Sequence, residues 1–318
     1  MNRRHNGGVP NDQIPSRRLP LRSIWLTATA LVLAPVAAAA GATGCPESPY
    51  RSAKPLVIAH ASGTYFGPPN TIEMQRAAVA AGADVVDADV RVTKDGALVA
   101  SHDDNLAATT NGTGSIAAHT LADLERLDAA YTWRAPNGEF TLRGHNVRIP
   151  TIEAFLQAFP HRQVSLEFKV TGGERTMCDL IRRLHRTRDV YISAATDLAI
   201  DRFKPICPEV TTTVTDALVP VLQAARASGS SWCSPAPIGQ PPYSIGTRKL
   251  IDAASVRWDH DHGMAVYTWT IDDPKTLAEV ASAGVDGVYT GRADIARKVF
   301  DQLKRRQSGR GLTPGRTS

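Results

Sequence analysis

From residue 56 to about 300 the chain alternates short apolar runs with stretches of helical period, about nine such runs can be counted, and charged residues close four of them in turn. This alternation predicts an α/β protein: a (β/α)8 TIM barrel with an insertion after the third strand. Strands separated by helices pair in parallel, and units this numerous suggest closure into a barrel. The chain has 318 residues, 42% of them hydrophobic, so it can build the core of one large domain and is no disordered polymer.

The elements follow in order. Leu56–Ala59 reads as a buried strand, and a helix is expected over about 71–81. Val85–Val90 is the second strand. Leu98–Ala100 is the third, paired back through a Lys94-Asp95-Gly96 turn. An excursion over about 104–149 carries the turn-rich Thr109–Gly114 and a helical Leu121–Leu127. Strands resume at Val164–Phe168, Val190–Ala194, Val210–Val214, Trp232–Pro235, Ala265–Ile271 and Val288–Thr290.

The ends differ from the middle. Residues 1–44 hold five arginines and one aspartate, and 304–318 hold five cations and no acid, so the net +5 resides in the ends and residues 45–303 are net acidic. No nucleic-acid-binding face is implied. The first end reads as an export signal: an Arg-containing lead, the uncharged Ile24–Ala40, then small residues. Ser16–Arg22, with Arg17-Arg18, resembles a twin-arginine signal, although Pro20 replaces the usual Phe. The apolar run is short and Ala-rich for a membrane span, so cleavage and a secreted or cell-envelope location are expected, with no stable anchor. Cys45 after small residues is a second route, through lipidation. From Lys304 the chain reads as a disordered basic tail, leaving 45–303 as the barrel domain. Cys178, Cys207 and Cys233 show no zinc spacing, and a Cys207–Cys233 disulfide is the expected pairing.

Polar residues gather where strands end. His60 follows the first apolar run, Asp87 and Asp89 lie two apart on one face of the second, His102-Asp103 closes the third, and Glu167 and Lys169 close the fourth. In a parallel barrel all carboxyl ends share one rim, where active sites are built. Three carboxylates there repel unless a cation neutralises them, and oxygen ligands suit one Mg²⁺ or Ca²⁺. The two histidines could then serve as general acid and base for displacement at phosphorus. Each residue alone has a plainer reading as a cap, a surface ion pair or a structural histidine. Asn70 with Glu73 reads as a capping box, and Asp103 as a group that orients His102.

The run from Ile58-Ala59-His60 through Asn70-Thr71, Gly82–Val90, Thr93–Gly96, His102–Asp104 and Thr109–Gly114 resembles the opening third of glycerophosphodiester phosphodiesterases. Looser agreement continues through Ile149-Pro150-Thr151, Leu166–Lys169, Tyr267–Asp272 and Gly284–Thr290. The resemblance implies a barrel and metal-dependent hydrolysis of glycerophosphodiesters or related lipid-derived phosphodiesters. His60 and His102 would be the acid–base pair, Asp87, Asp89 and Glu167 the metal ligands, and Lys169 a phosphate contact. Trp269 would line the pocket for the organic portion of the substrate, against an equal reading as core packing.

Three departures from the family pattern stand out. Ala61 replaces Arg after the first histidine, Pro69 replaces Glu before Asn70, and Asp87 replaces Glu. The paired loss of Arg and Glu avoids a stranded charge but removes a bidentate phosphate contact that Lys169 cannot reproduce. Ala61 and Ser62 are expected to leave room there. Two alternatives stay open: a phospholipase of the C or D type acting on intact lipid, and a degenerate barrel that only binds ligand.

Overall fold

The computed structural model describes residues 44–310, so the expected leader lies outside the described residues apart from Gly44. The strands are β1 (Leu56–Ala59), β2 (Val85–Val92), β3 (Leu98–Ala100), β4 (Gln163–Phe168), β5 (Val190–Ala194), β6 (Thr211–Thr212), β7 (Ile238–Gly239), a small hairpin of β8 (Ser244–Ile245) and β9 (Arg248–Lys249), β10 (Ala265–Thr268) and β11 (Gly287–Thr290). Eight of them run in parallel in the order β6-β5-β4-β2-β1-β11-β10-β7. The free edges of β6 and β7 meet through the Val214 N–H, which donates to the Ile238 carbonyl at 2.9 Å. The architecture is the expected (β/α)8 TIM barrel.

Alternation along each strand sorts side chains into two layers. Val86, Ala88 and Val90 of β2 face outward into the same core as Val164, Leu166 and Phe168 of β4 and the flanking helices. Ile58, Val85, Tyr191, Ala265, Tyr267 and Tyr289 fill the barrel interior. His60, Asp87, Asp89, Ser165, Glu167 and Trp269 share the odd-spaced, inward parity of these residues, one or two steps further up their strands. Strands covered on both faces explain the near-continuous apolar runs.

The third predicted strand is real but is not a barrel strand. β2 continues to Val92, and β3 returns antiparallel through the Lys94–Gly96 turn, with Ala100 opposite Val90. The insertion that follows has its own apolar cluster, including Leu106, Ile116, Leu124, Val147 and Ile149. Trp232–Pro235 is not a strand; β7 forms instead at Ile238–Gly239, after the prolines. The final helix, Ala293–Arg310, continues into the stretch expected to be tail. Among the described residues no helix is long and apolar enough to cross a membrane.

The disulfide expectation is corrected. Cys178 pairs with Cys207 and Cys45 with Cys233, at Cα separations of 5.7 and 5.5 Å. The helix Glu174–Arg183 descends from the mouth, so its middle packs in the same core cluster as Cys207, which precedes β6. Cys178 is therefore within reach of Cys207.

Candidate active site

Register brings the acidic residues together. Asp87 of β2 lies beside Ser165 of β4, and Asp89 beside Glu167, so one inward stripe of two neighbouring strands carries three carboxylates. Asp89 is buried and fully engaged: its Oδ2 accepts from Asn70 Nδ2 at 2.7 Å and Ser62 Oγ at 3.1 Å, and its Oδ1 meets Lys169 Nζ at 3.1 Å. Lys169 also donates to Glu167 at 2.8 Å. Burial works against the Lys169 ammonium, but Asp89 and Glu167 outweigh it and hold its pKa above the ordinary value.

Asp87 differs. It accepts from the Ala61 N–H at 2.9 Å and from Ser165, yet has no ion pair among the described residues. Burial, and then the charge of Asp89, push its carboxyl up to about 8. One ammonium therefore faces three carboxyl groups, and Asp87, the one without an ion pair, holds its proton near neutral pH. A hard divalent cation fits this donor set and this excess. Among the described residues the Cys/His/Asp/Glu group whose ligand atoms all lie within 4.8 Å of one another is Cys178, Cys207 and Glu209, but both sulfurs are in a disulfide and cannot act as thiolate ligands; Asp87, Asp89 and Glu167 are not drawn that close and would have to close in on an ion.

The two histidines reach the mouth by different routes. His60 caps β1, its N–H donating to the Thr290 carbonyl at 3.0 Å and its ring edge-on to Tyr289. Burial lowers its pKa, Asp89 opposes this, and Lys169 and His102 add to the lowering. His102 comes down from above: the hairpin returns through β3, the Ser101 N–H donates to the Asp89 carbonyl at 2.9 Å, and the next residue sits at the rim. Its ring is half exposed, with Nδ1 3.1 Å from Asp103 Oδ1. Arg91 grips the His102 carbonyl through Nε and Nη2 at 2.8 and 2.6 Å. Beside His102 a cleft of about 260 Å³ opens between the first loop and the insertion, lined by Ser62, Pro69, Asn70, Ser101 and Thr109 among others.

Trp269 follows β10 directly and is 47% exposed, which excludes core packing; its indole N–H donates to the Gln240 carbonyl at 2.7 Å. The capping-box reading of Asn70 is also wrong. Thr71 is the N-cap, accepting from the Met74 N–H, while Asn70 sits at φ 59° with both ends of its amide on Asp89. The signal was present in the sequence: Asn tolerates the left-handed region, and the Thr that follows it can cap. Ala61 leaves no room, being fully buried, and the Ser62 hydroxyl is committed to Asp89. Space lies beside Ser62 and Pro69, not at Ala61.

A model of the glycerophosphoryl diester phosphodiesterase family matches residues 60–295. The glycerophosphodiester phosphodiesterase of Bacillus subtilis (strain 168) is 26% identical over 259 residues, covering 77% of this chain and 86% of the relative. Among solved structures, the glycerophosphoryl diester phosphodiesterase domain of a Mycobacterium tuberculosis protein superposes with a TM-score of 0.67 at 20% identity, over 77% of this chain and 98% of that one. An Oleispira antarctica phosphodiesterase, solved in complex with the product sn-glycerol-3-phosphate, gives 0.62 at 23%, over 78% and 97%. The molecule is thus a phosphoric diester hydrolase on a TIM barrel. More narrowly, the chain belongs to the glycerophosphoryl diester phosphodiesterase family.

Proposed function

We propose that this protein hydrolyses glycerophosphodiesters to a glycerol phosphate and a free alcohol, using His60 and His102 as its acid–base pair. The observation that carries this reading is a buried, pKa-lowered histidine that feels the charges of Asp89, Lys169 and a second, exposed histidine, itself oriented by a carboxylate. The product complex of the Oleispira phosphodiesterase supports the substrate class. Asp87, Asp89 and Glu167 would hold one Mg²⁺ or Ca²⁺, which when bound supplies charge stabilisation to the phosphoryl oxygens. Lys169, fixed between two carboxylates, offers its remaining donor capacity to the phosphate.

The lowered pKa keeps His60 neutral near pH 7 and so suits it to take a proton from the attacking hydroxyl, whether water or a neighbouring glycerol hydroxyl that closes a cyclic phosphate. Asp103 holds the His102 Nδ1, leaving Nε2 to pass a proton to the departing alcohol oxygen as the P–O bond breaks. Water then opens any cyclic phosphate, with the two roles reversed. Export is part of the proposal, and two disulfides support an oxidising destination. Cys45 Sγ is occupied in one of them, which weighs against lipidation.

The test is release of glycerol phosphate from glycerophosphocholine, with and without exhaustive chelation. Chelator-sensitive release is expected, with an acid limb in kcat/KM below the ordinary histidine value that disappears in His60→Gln. Undiminished turnover after chelation would remove the metal from the reading, and an unchanged limb in His60→Gln would remove the base.

A further inference from the structure

Among the described residues seven large apolar or aromatic side chains are more than a third exposed, and all seven lie on segments that leave the barrel at the carboxyl ends of its strands. Tyr65 follows β1, Tyr131 lies in the insertion, and Leu198 is in the first turn of the helix after β5. Val219 and Val221 open the helix after β6, Ile245 is on the hairpin after β7, and Trp269 follows β10. Exposed apolar residues scattered singly over a surface are ordinary. Here all seven are borne by segments at one end of the barrel.

Arginines accompany three of them. The Arg143 guanidinium lies 4.4 Å from the Tyr131 ring and 3.4 Å from Phe140, Arg134 lies 3.8 Å from Phe140, and Arg292, itself paired with Asp294, lies 3.9 Å from Tyr65. On the hairpin, Ile245 pairs with Arg248. Apolar tips beside guanidiniums match a phospholipid surface, where the tips enter the acyl boundary and the cations meet phosphates. The mouth opens at the same end as this collar of loops. A lipid surface would present phosphodiesters to it.

We propose that the protein docks mouth-down on phospholipid surfaces through this collar and meets its phosphodiester there. The docking surface and the chemistry proposed above fail separately. Full-length protein is sedimented with vesicles of phosphatidylcholine, with and without phosphatidylserine, beside the variant Tyr131→Ser/Leu198→Ser/Ile245→Ser and the variant Arg134→Gln/Arg143→Gln. Wild type should partition onto vesicles, more strongly with phosphatidylserine. The triple variant should lose about tenfold or more in partitioning, while keeping its melting temperature and its turnover of soluble glycerophosphocholine. The arginine variant should lose only the phosphatidylserine increment. Wild-type partitioning in the triple variant would assign binding to residues outside the collar and overturn the proposal, as would no binding by wild type. Self-association abolished by the triple variant, without vesicle binding, would assign the collar to a second copy and overturn it too. Vesicle binding as expected with soluble glycerophosphocholine left uncleaved would leave docking standing and sink the proposed chemistry.

Discussion

The floor and the wall of the mouth are built differently. The floor is strand-borne: Asp87, Asp89 and Ser165 are buried, locked by register, and bonded to the first loop through Ala61, Ser62 and Asn70. The wall is loop-borne: His102, Asp103 and Trp269 are each about half exposed and held by few bonds. A change in the floor should therefore disturb both fold and chemistry, and a change in the wall chemistry alone.

The largest expected effect tests that division directly. Asp89→Ala should lower kcat/KM by roughly 10³-fold and also lower the melting temperature, because it takes one of the two carboxylates from Lys169 and leaves the buried Asn70 Nδ2 without a partner. His102→Ala should cost roughly 10²–10⁴-fold in rate with the melting temperature unmoved. A destabilised His102→Ala, or an Asp89→Ala that melts like wild type, would erase the distinction.

Asp87 sharpens it. Its folded pKa, raised to about 8 from the model-peptide value of 3.8, means the metal-free protein holds this proton more tightly than the unfolded chain does. Stability is then full below about pH 4 and eroded as pH climbs towards 8. Asp87→Asn should melt several degrees above metal-free wild type at pH 8, at about 2–4 °C per kcal/mol for a domain of this size, and no higher near pH 4. Saturating Mg²⁺ or Ca²⁺ should raise the wild-type melting temperature and leave that of the variant nearly unchanged. Equal melting at pH 8 without metal would show that Asp87 carries no such load.

Asn70 joins the two regions, because a loop residue there supports a floor carboxylate. Asn70→Gly keeps the left-handed backbone and removes both bonds to Asp89. About a tenfold fall in kcat is expected, at roughly 1–2 kcal/mol for the lost support of a charged group, with KM little changed. A pure KM effect would mean that Asn70 touches substrate instead. Trp269→Ala should be the mildest: KM for soluble diesters up a few-fold and kcat within about twofold, since the ring only borders the opening. A large kcat loss would move Trp269 from wall to floor.

The same division explains what the sequence revealed. His60, Asp87, Asp89, Glu167 and Lys169 were legible because a two-residue period places a side chain once its strand is recognised. Asn70 was not, because its role hangs on a left-handed turn and on Thr71 taking the cap. The Ala61 pocket failed for a similar reason: a small residue implies space only if nothing else packs there. β6 and β7 are two residues each; β6 falls inside the expected Val210–Val214, but β7 is too short to announce itself by pattern, so the strand expected at Trp232–Pro235 is misplaced. Cysteine pairing depends on how a descending helix meets a loop, which spacing does not encode.

Those two brief strands bear one more consequence. Where β6 meets β7 the barrel is closed by the Val214–Ile238 backbone bond, and no β6–β7 ladder forms among the described residues. Each disulfide anchors the chain just before one side of this join, Cys207 ahead of β6 and Cys233 ahead of β7. Amide protons there should be the first in the sheet to trade for deuterium, and a reductant should hasten that exchange long before β1, β2 or β4 respond. The barrel has a zip, and its two ends are pinned by sulfur.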